Sequence, residues 1–516
     1  KQELKKLSTG ITLIALVITI IVLLILAGVS IALLTGNNGI LTKTNEAKVL
    51  TEKSAAKEKV EVEVLGSYGT DGNINLDKLN ENLKNVDGLT AGLPISSLPA
   101  TVVVDGYEVD IDGNGNVTIA EKEEIEIELP KYWETTNKAN GQWYSYIDIS
   151  NSNTRANVNE PKLIGNMTAI KYLENDNENQ VGSKWANAVT QDGSMWVWIP
   201  RYAYKITEGY HTNSSTGGTI EVAFINTNNE FLNGESGTII TDPSKITYNT
   251  EGEQEQWLVH PAFTSNAENG GGFGELSGLW VGKFETTGSY DSNTGTGILS
   301  VKPANNILVN MTANQQYKFA QTGTFGETIT TNSHMAKNSE WGAVLYLAQS
   351  KYGTNGQKIE KTVEYSIAGG TSDEKTIYTA NKKQSTTHNA YGIYGLNGGS
   401  WERVASYVNY EDNTVLPTIG GTQEGDLYGK DEKERSTSTA YKTVYKPSGI
   451  DQEKTYELTE YIKGDAVWET SNSYLNSTGS WFVAHAGIPD TINPFFYRGG
   501  TSDETYAGVF FFNGSN

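Results

Sequence analysis

The sequence predicts an α+β chain in three parts: a long apolar N-terminal helix, a small α+β unit, and a large irregular domain. Three observations carry that prediction. Residues Ile11 to Leu34 hold no charged side chain. All 11 Trp and all 13 Phe lie after Lys131, and only Tyr68 and Tyr107 of the 28 Tyr precede it. From Tyr132 onward, short strand-like pieces alternate with loops rich in Gly, Asn, Ser and Thr, and long helical periodicity is scarce. The chain therefore divides compositionally near Pro130.

An uncharged run of 24 residues extends about 36 Å as a helix, enough to cross a hydrocarbon core of about 30 Å. Lys1, Lys5 and Lys6 precede it, which places the N-terminus in the cytoplasm and the rest outside. A cleaved signal peptide has a shorter apolar region, and a signal anchor fits the run as well. Gly36-Asn37-Asn38-Gly39 breaks the pattern. A charged helix then resumes to about Leu65, with Lys48/Glu52, Lys57/Glu61 and Lys59/Glu63 four apart.

Residues 66–130 read as a compact unit. A short helix over Leu76 to Leu83 precedes three strands, Thr101 to Val104, Tyr107 to Ile111 and Val117 to Ile119. Asp105-Gly106 and Asn114-Gly115 supply the turns. Ile125 to Leu129 alternates with glutamates, as an acidic edge strand would. Asp110, Asp112, Asn114, Gly115 and Glu121 match the spacing of a calcium-binding EF-hand loop. A strand rather than a helix enters this loop, and Asp-Gly-Asn-Gly is also a good hairpin turn without metal.

In the large region, residues 131–516, the clearest helix is Ser339 to Tyr352, with Trp341, Leu345 and Ala348 on one face. Met195 to Ile199 and Leu279 to Glu285 read as strands. A net charge of −22 excludes a nucleic-acid backbone as main partner. The absence of Cys excludes disulfides, thiolate metal sites and a cysteine nucleophile. The five His stand singly at 211, 260, 334, 388 and 485. Glu208 and His211 form one weak pair, and no Gly-x-Ser-x-Gly elbow occurs. No catalytic set is expected.

Two resemblances sharpen these expectations. Lys5-Lys6-Leu7-Ser8-Thr9-Gly10 followed by Ile11-Thr12-Leu13-Ile14 resembles a type IV prepilin leader, which is cut between Gly10 and Ile11. Ala15 stands where many pilins carry Glu, so the resemblance implies a minor or pilin-like surface protein. Residues 1–10 would be the leader, 11–65 a transmembrane and stalk helix broken at 36–39, and 66–130 a pilin-like headpiece. The second resemblance rests on five segments in order: Met195 to Arg201, Gly278 to Glu285, Ser339 to Ala343, Tyr391 to Glu402, and Phe496 to Gly500. These resemble the formylglycine-generating-enzyme branch of the C-type-lectin fold, over roughly residues 160–516. The enzymes of that branch need cysteines for copper, so their oxidase chemistry is excluded here.

That resemblance implies a Ca²⁺ site at Gly398, Ser400 and Glu402, although Gly395 stands where an Asn or Asp is usual. It also implies a binding face near the C-terminus, as in variable proteins of diversity-generating retroelements. Its residues would be Tyr497, Thr501, Ser502, Asp503, Glu504, Tyr506, Val509, Phe511 and Asn513. Phe510 and Phe512 are expected to face the core, and Val509 and Phe511 to alternate outward. Lys1 opens the chain, and the tail stops before the further arginine-containing strand usual in relatives, so both ends read as fragment ends.

The expected function is that of a bacterial cell-surface adhesin or type IV pilus subunit. Its partners would be the membrane, other pilin subunits, and a surface protein or glycan. An exported, signal-anchored hydrolase and a structural pseudopilin of a secretion system are the alternatives. A cavity lined by close carboxylates would favour the hydrolase, and a Tyr-rich face near the C-terminus would favour binding. The leader reading predicts a mature N-terminus at Ile11, checked by N-terminal sequencing of protein recovered from cells; an intact Lys1 leader refutes it.

Overall fold

The computed structural model describes residues 40–70, 72–105, 107–119, 129–130, 132–136, 143–173, 182–326, 332–364, 366–369, 378–410, 427–429, 431–447, 462–472, 475–476, 478–490 and 493–514. The leader residues Gly10 and Ile11, the apolar run and its break, Glu121, and all but Leu129 of the expected acidic edge strand lie outside these residues.

The expected fold class needs correction. Strand exceeds helix, 27% to 17%, and a long membrane-crossing helix is not part of the described fold. Among the described residues, no helix is long and apolar enough to cross a membrane. Among the described residues the longest helix, Ile40–Gly66, starts just after the Gly36–Gly39 cluster and carries charges along its length. The excess of strand has a compositional cause. The large region is rich in β-branched and aromatic residues separated by Gly and Asn, which favour short pleated strands over helices.

The chain forms two compact units, residues 1–125 and 126–516. In the first, Ala56, Val60 and Val64 recur every four residues and make one buried face of the helix. They join Leu79, Leu83, Val102, Val104, Val109, Ile111 and Val117 in a single core. The antiparallel sheet runs Leu89–Ala91, Ala100–Val104, Tyr107–Ile111, Val117–Ile119. Asn75 caps the helix Leu76–Leu83 by accepting from the Lys78 amide. Lys57 and Glu61 pair at 3.2 Å as their spacing implies, but Lys59 reaches Asp105 at 2.7 Å.

Within the segment that matches the EF-hand pattern, Asp112 to Asn116 form a turn. Asp112 Oδ1 accepts from the amides of Asn114 and Asn116, and its Oδ2 from Asn116 Nδ2. These bonds hold its carboxyl below the usual range. Asp110 sits in a strand and accepts from Thr101 Oγ1.

In the second unit, a five-stranded sheet orders Gly278–Gly282, Met195–Pro200, Asn187–Val189, Thr168–Tyr172 and Trp133–Thr135. A four-stranded sheet orders Thr219–Phe224, Tyr202–Glu208, Trp257–Val259 and Ile239–Ile240. A six-stranded sheet is built on Glu402–Val408 and Phe495–Arg498, paired antiparallel with Glu402 opposite Arg498. Helix Asn338–Gln349 is buried on every face, so the single stripe read from Trp341, Leu345 and Ala348 understates its role. It is the hub of the largest apolar cluster.

A buried polar network ties the C-terminal strand to this hub. The Arg498 side chain is fully buried and donates to Asn338 Oδ1 and to the carbonyls of Asp465 and Ala466. Asp465 Oδ2 accepts from the Tyr445 hydroxyl at 2.7 Å. Burial pushes the Asp465 carboxyl up to about 7, while the Tyr445 bond works in the opposite direction. Glu469 accepts from the hydroxyls of Tyr204 and Tyr346 and from the Gly464 amide. Removing one charged partner from such a network leaves the others desolvated and unpaired. Arg498→Ala should therefore cost about 3–5 kcal/mol of stability, read from urea denaturation; a loss below about 1 kcal/mol would mean the network is dispensable.

Candidate functional site

The segments quoted for the second resemblance converge on one region. Met195–Pro200 pairs with Gly278–Gly282, placing Trp198 opposite Trp280. Tyr394 donates its amide to the Lys283 carbonyl. Glu402 and Arg403 lie opposite Arg498 and Tyr497. Two features result, a surface loop and a cavity, and Trp401 belongs to both.

The loop runs from Gly499 to Gly508 and closes on itself, with the Gly508 amide donating to the Gly499 carbonyl at 3.1 Å. Gly499 and Gly500 both take positive φ, 80° and 75°, which a side chain would strain. The Glu504 carboxylate organises the turn. One of its oxygens accepts from the Thr501 amide at 2.8 Å and from Trp401 Nε1 at 3.1 Å. The Ser502 amide donates to the Gly399 carbonyl, and Lys361 Nζ donates to the carbonyls of Ser502 and Glu504. The loop is thus bolted to the 398–401 segment from both sides. Trp401 is 41% exposed and Tyr506 39% exposed, among the largest apolar groups at the surface. Asp503 and Thr505 are exposed beside them.

The loop therefore gathers Thr501, Ser502, Asp503, Glu504 and Tyr506 from the expected face and adds Trp401. The four other residues of that expectation fall elsewhere. Tyr497 is buried, with its hydroxyl accepting from Arg403 and its ring beneath that guanidinium. Val509 and Phe511 are buried as well, at 6% and 2% exposed. The alternation argument fails because the backbone turns there. The Phe511 amide donates to the Gly508 carbonyl, and extended structure is confined to Phe512–Asn513. Asn513 is half-buried on that last strand.

The cavity, of about 260 Å³, lies on the other side of Trp401. Its walls include the aromatic side chains Trp196, Phe284, Phe325, Trp341, Tyr394 and Trp401. Glu285 and Glu402 line it together. Glu402 is half-buried; desolvation of its carboxyl raises it above the ordinary range, and the charge of Glu285 raises it further. Burial also raises Glu285, offset in part by its own amide and that of Gly369. His334 and Glu340 also line the cavity, but they pair with each other at 3.0 Å. His334 and Lys337 hold Glu340 at about 2 against its burial. Arg403 Nη1 and Nη2 donate to the Met311 carbonyl and the Tyr497 hydroxyl.

Glu285 was not singled out from the sequence, and the structure gives its role a clear geometric basis. A Cβ on Gly395 would lie 2.3 Å from the Glu285 carboxyl carbon, and one on Gly399 would lie 3.1 Å from Oε1. Both glycines have positive φ. The carboxylate of Glu285 therefore occupies the space that a side chain at position 395 would need. The signal was a charged residue closing an apolar strand, which the sequence pattern alone cannot assign inward or outward.

Of the expected Ca²⁺ ligands, Glu402 and Ser400 line the cavity, while the Lys361 aliphatic chain packs against Gly398 where a Cβ would stand. Among the described residues, no three acidic or histidine side chains group as a metal site. Two carboxylates in an aromatic-walled space make a poor match for an ion that takes six to eight oxygens. The lone histidines are placed separately. His260 is buried among Tyr202, Tyr204 and Phe263, and burial drives its ring down to about 3. His211 stacks on Trp468, and Glu208 accepts from Thr219 instead of joining it.

A carboxyl raised by folding favours the folded state below its unfolded value, and that advantage is lost as pH rises toward the folded value. Glu402→Gln removes this slope. It should raise the thermal midpoint at pH 8 and leave it nearly unchanged at pH 4, as checked by scanning calorimetry; an equal effect at both pH values would contradict the assignment. No known protein-family model and no curated protein matches this chain.

Proposed function

We propose that this chain is a ligand-binding protein of the bacterial cell surface, and that it engages an extracellular macromolecule through the loop Gly499 to Gly508 and Trp401. The observation that carries this reading is an exposed Trp and an exposed Tyr held on a loop whose backbone is fixed by Glu504, Lys361 and Gly399. Aromatic groups give large contact area at low entropic cost, and a rigid loop loses little freedom on binding. Asp503, Thr505 and Ser502 add adaptable polar contacts around them. The surface location rests on the sequence, in which three lysines precede an uncharged run of 24 residues.

A second reading, an exported hydrolase, is favoured by the carboxylates of Glu285 and Glu402 in one cavity. General acid–base work needs one of the pair ionised at the operating pH. Burial raises both carboxyls, which suits a general acid but singles out no base or nucleophile beside it. The fixed, exposed aromatic loop is the stronger observation, so the binding reading is preferred.

The test uses the full chain in detergent on arrays of glycans and surface proteins. Trp401→Ala and Tyr506→Ala should each weaken the strongest interaction by about 2 kcal/mol, or about thirtyfold, the loss common at a binding hot spot, with the melting midpoint little changed. Unaltered binding in both variants would rule out this face.

A further inference from the structure

The cavity beneath Trp401 holds two carboxylates that its surroundings leave short of positive charge. Among the described residues, neither Glu285 nor Glu402 forms an ion pair. The positive groups nearby are committed. Arg403 is spent on the Met311 carbonyl and the Tyr497 ring and hydroxyl, and His334 on Glu340. Lys337 donates to the Gly271 carbonyl and lies near Glu340. Lys361 is turned outward to the loop carbonyls.

The cavity is also shaped for more than an ion. At about 260 Å³ it exceeds what a single ion needs, and rings of Trp196, Phe284, Phe325 and Tyr394 stand in its wall beside aliphatic side chains such as Leu299 and Val301. Aromatic faces attract cations, and a desolvated carboxylate attracts N–H donors more strongly than a solvated one does. Glu285 is seated by Gly395 and Gly399, positions where a Cβ would crowd its carboxyl group. An acidic floor with aromatic walls matches a ligand with a primary ammonium head and an apolar body.

We propose that this cavity binds a primary alkyl- or arylalkylammonium group, whose N–H donors meet Glu285 and Glu402 while its apolar body lies against the aromatic wall. The group could be a free amine or a lysine side chain of a partner protein, since the chemistry at the carboxylates is the same. Trp401 lines the cavity and is exposed at the loop, which puts the cavity beside the proposed binding face. The proposal rests on the reading of this region as a binding site, and it names the ligand chemistry.

The test is isothermal titration of the full chain with benzylammonium chloride, benzyl alcohol, calcium chloride, and a lysine-containing peptide in free and Nε-acetylated form. Benzylammonium should bind saturably and benzyl alcohol should not. Glu402→Gln should weaken the amine at least tenfold while the protein stays folded by circular dichroism, and Glu285→Gln should do the same. Binding of the free but not the acetylated peptide would identify a partner lysine as the source; binding of benzylammonium alone would identify a small amine. Tyr506→Ala should leave amine affinity unchanged, because Tyr506 does not line the cavity. That separates this proposal from the loop reading, which the same variant is expected to impair. Equal amine affinity in wild type and Glu402→Gln overturns the proposal, as does calcium binding abolished by Glu402→Gln with no amine binding at all. Amine binding lost in Tyr506→Ala but kept in Glu402→Gln would also overturn it.

Discussion

The guanidinium of Arg498, sealed from solvent, sets the terms for the rest of the large unit. A charge in that position needs acceptors for its N–H groups, and here Nη1 and Nη2 find them while Nε stays without a partner. Asn338, from the first turn of the central helix, supplies one acceptor, and the carbonyls of Asp465 and Ala466 supply others. Three distant stretches of chain are thereby fixed at one point. The Trp341 ring lies 5.6 Å from the guanidinium carbon, and its Nε1 donates to the Val509 carbonyl, which extends the same constraint to the last residues.

With Arg498 held in place, the next residues of the chain are held too. Gly499 and Gly500 turn the chain immediately after the buried charge, and the left-handed backbone of both residues brings the loop back on itself. The strand partner of Arg498 is Glu402, so the register that seats the guanidinium also sets where Glu402 stands in the cavity wall. The rim tryptophan, the acidic cavity and the surface loop are therefore linked through one pairing of two strands. Glu504 adds a second tie, because a single carboxylate oxygen accepts from both the loop backbone and the Trp401 indole.

Much of the local architecture was legible in sequence because it depends on near neighbours. The helix Leu76–Leu83, the hairpins around Asp105 and Asn114, and the strand Met195–Pro200 arise from spacing and turn residues. The readings that failed depended on contacts far along the chain. Alternation placed Val509 and Phe511 outward, but a turn at Gly508 interrupts the strand and buries both. Sequence pattern assigns Trp401 no place, and it stands partly exposed. Its ring is held partly in solvent by a carboxylate 103 residues away. Glu285 passed unremarked because its seat is made by glycines more than a hundred residues later.

The sequence by itself determined the compositional split near Pro130, the absence of thiol chemistry, the acidic balance, and the turn chemistry of the small unit, since each is a property of residues or of short spans. It also brought forward the segments that converge around the cavity, without saying how they meet. Only the tertiary structure decided that strand outweighs helix, that Glu285 and Glu402 line one cavity, and that Val509 and Phe511 are core rather than surface. The reason is physical. Burial and charge pairing depend on which distant groups share a low-dielectric interior, and neither periodicity nor spacing carries that information.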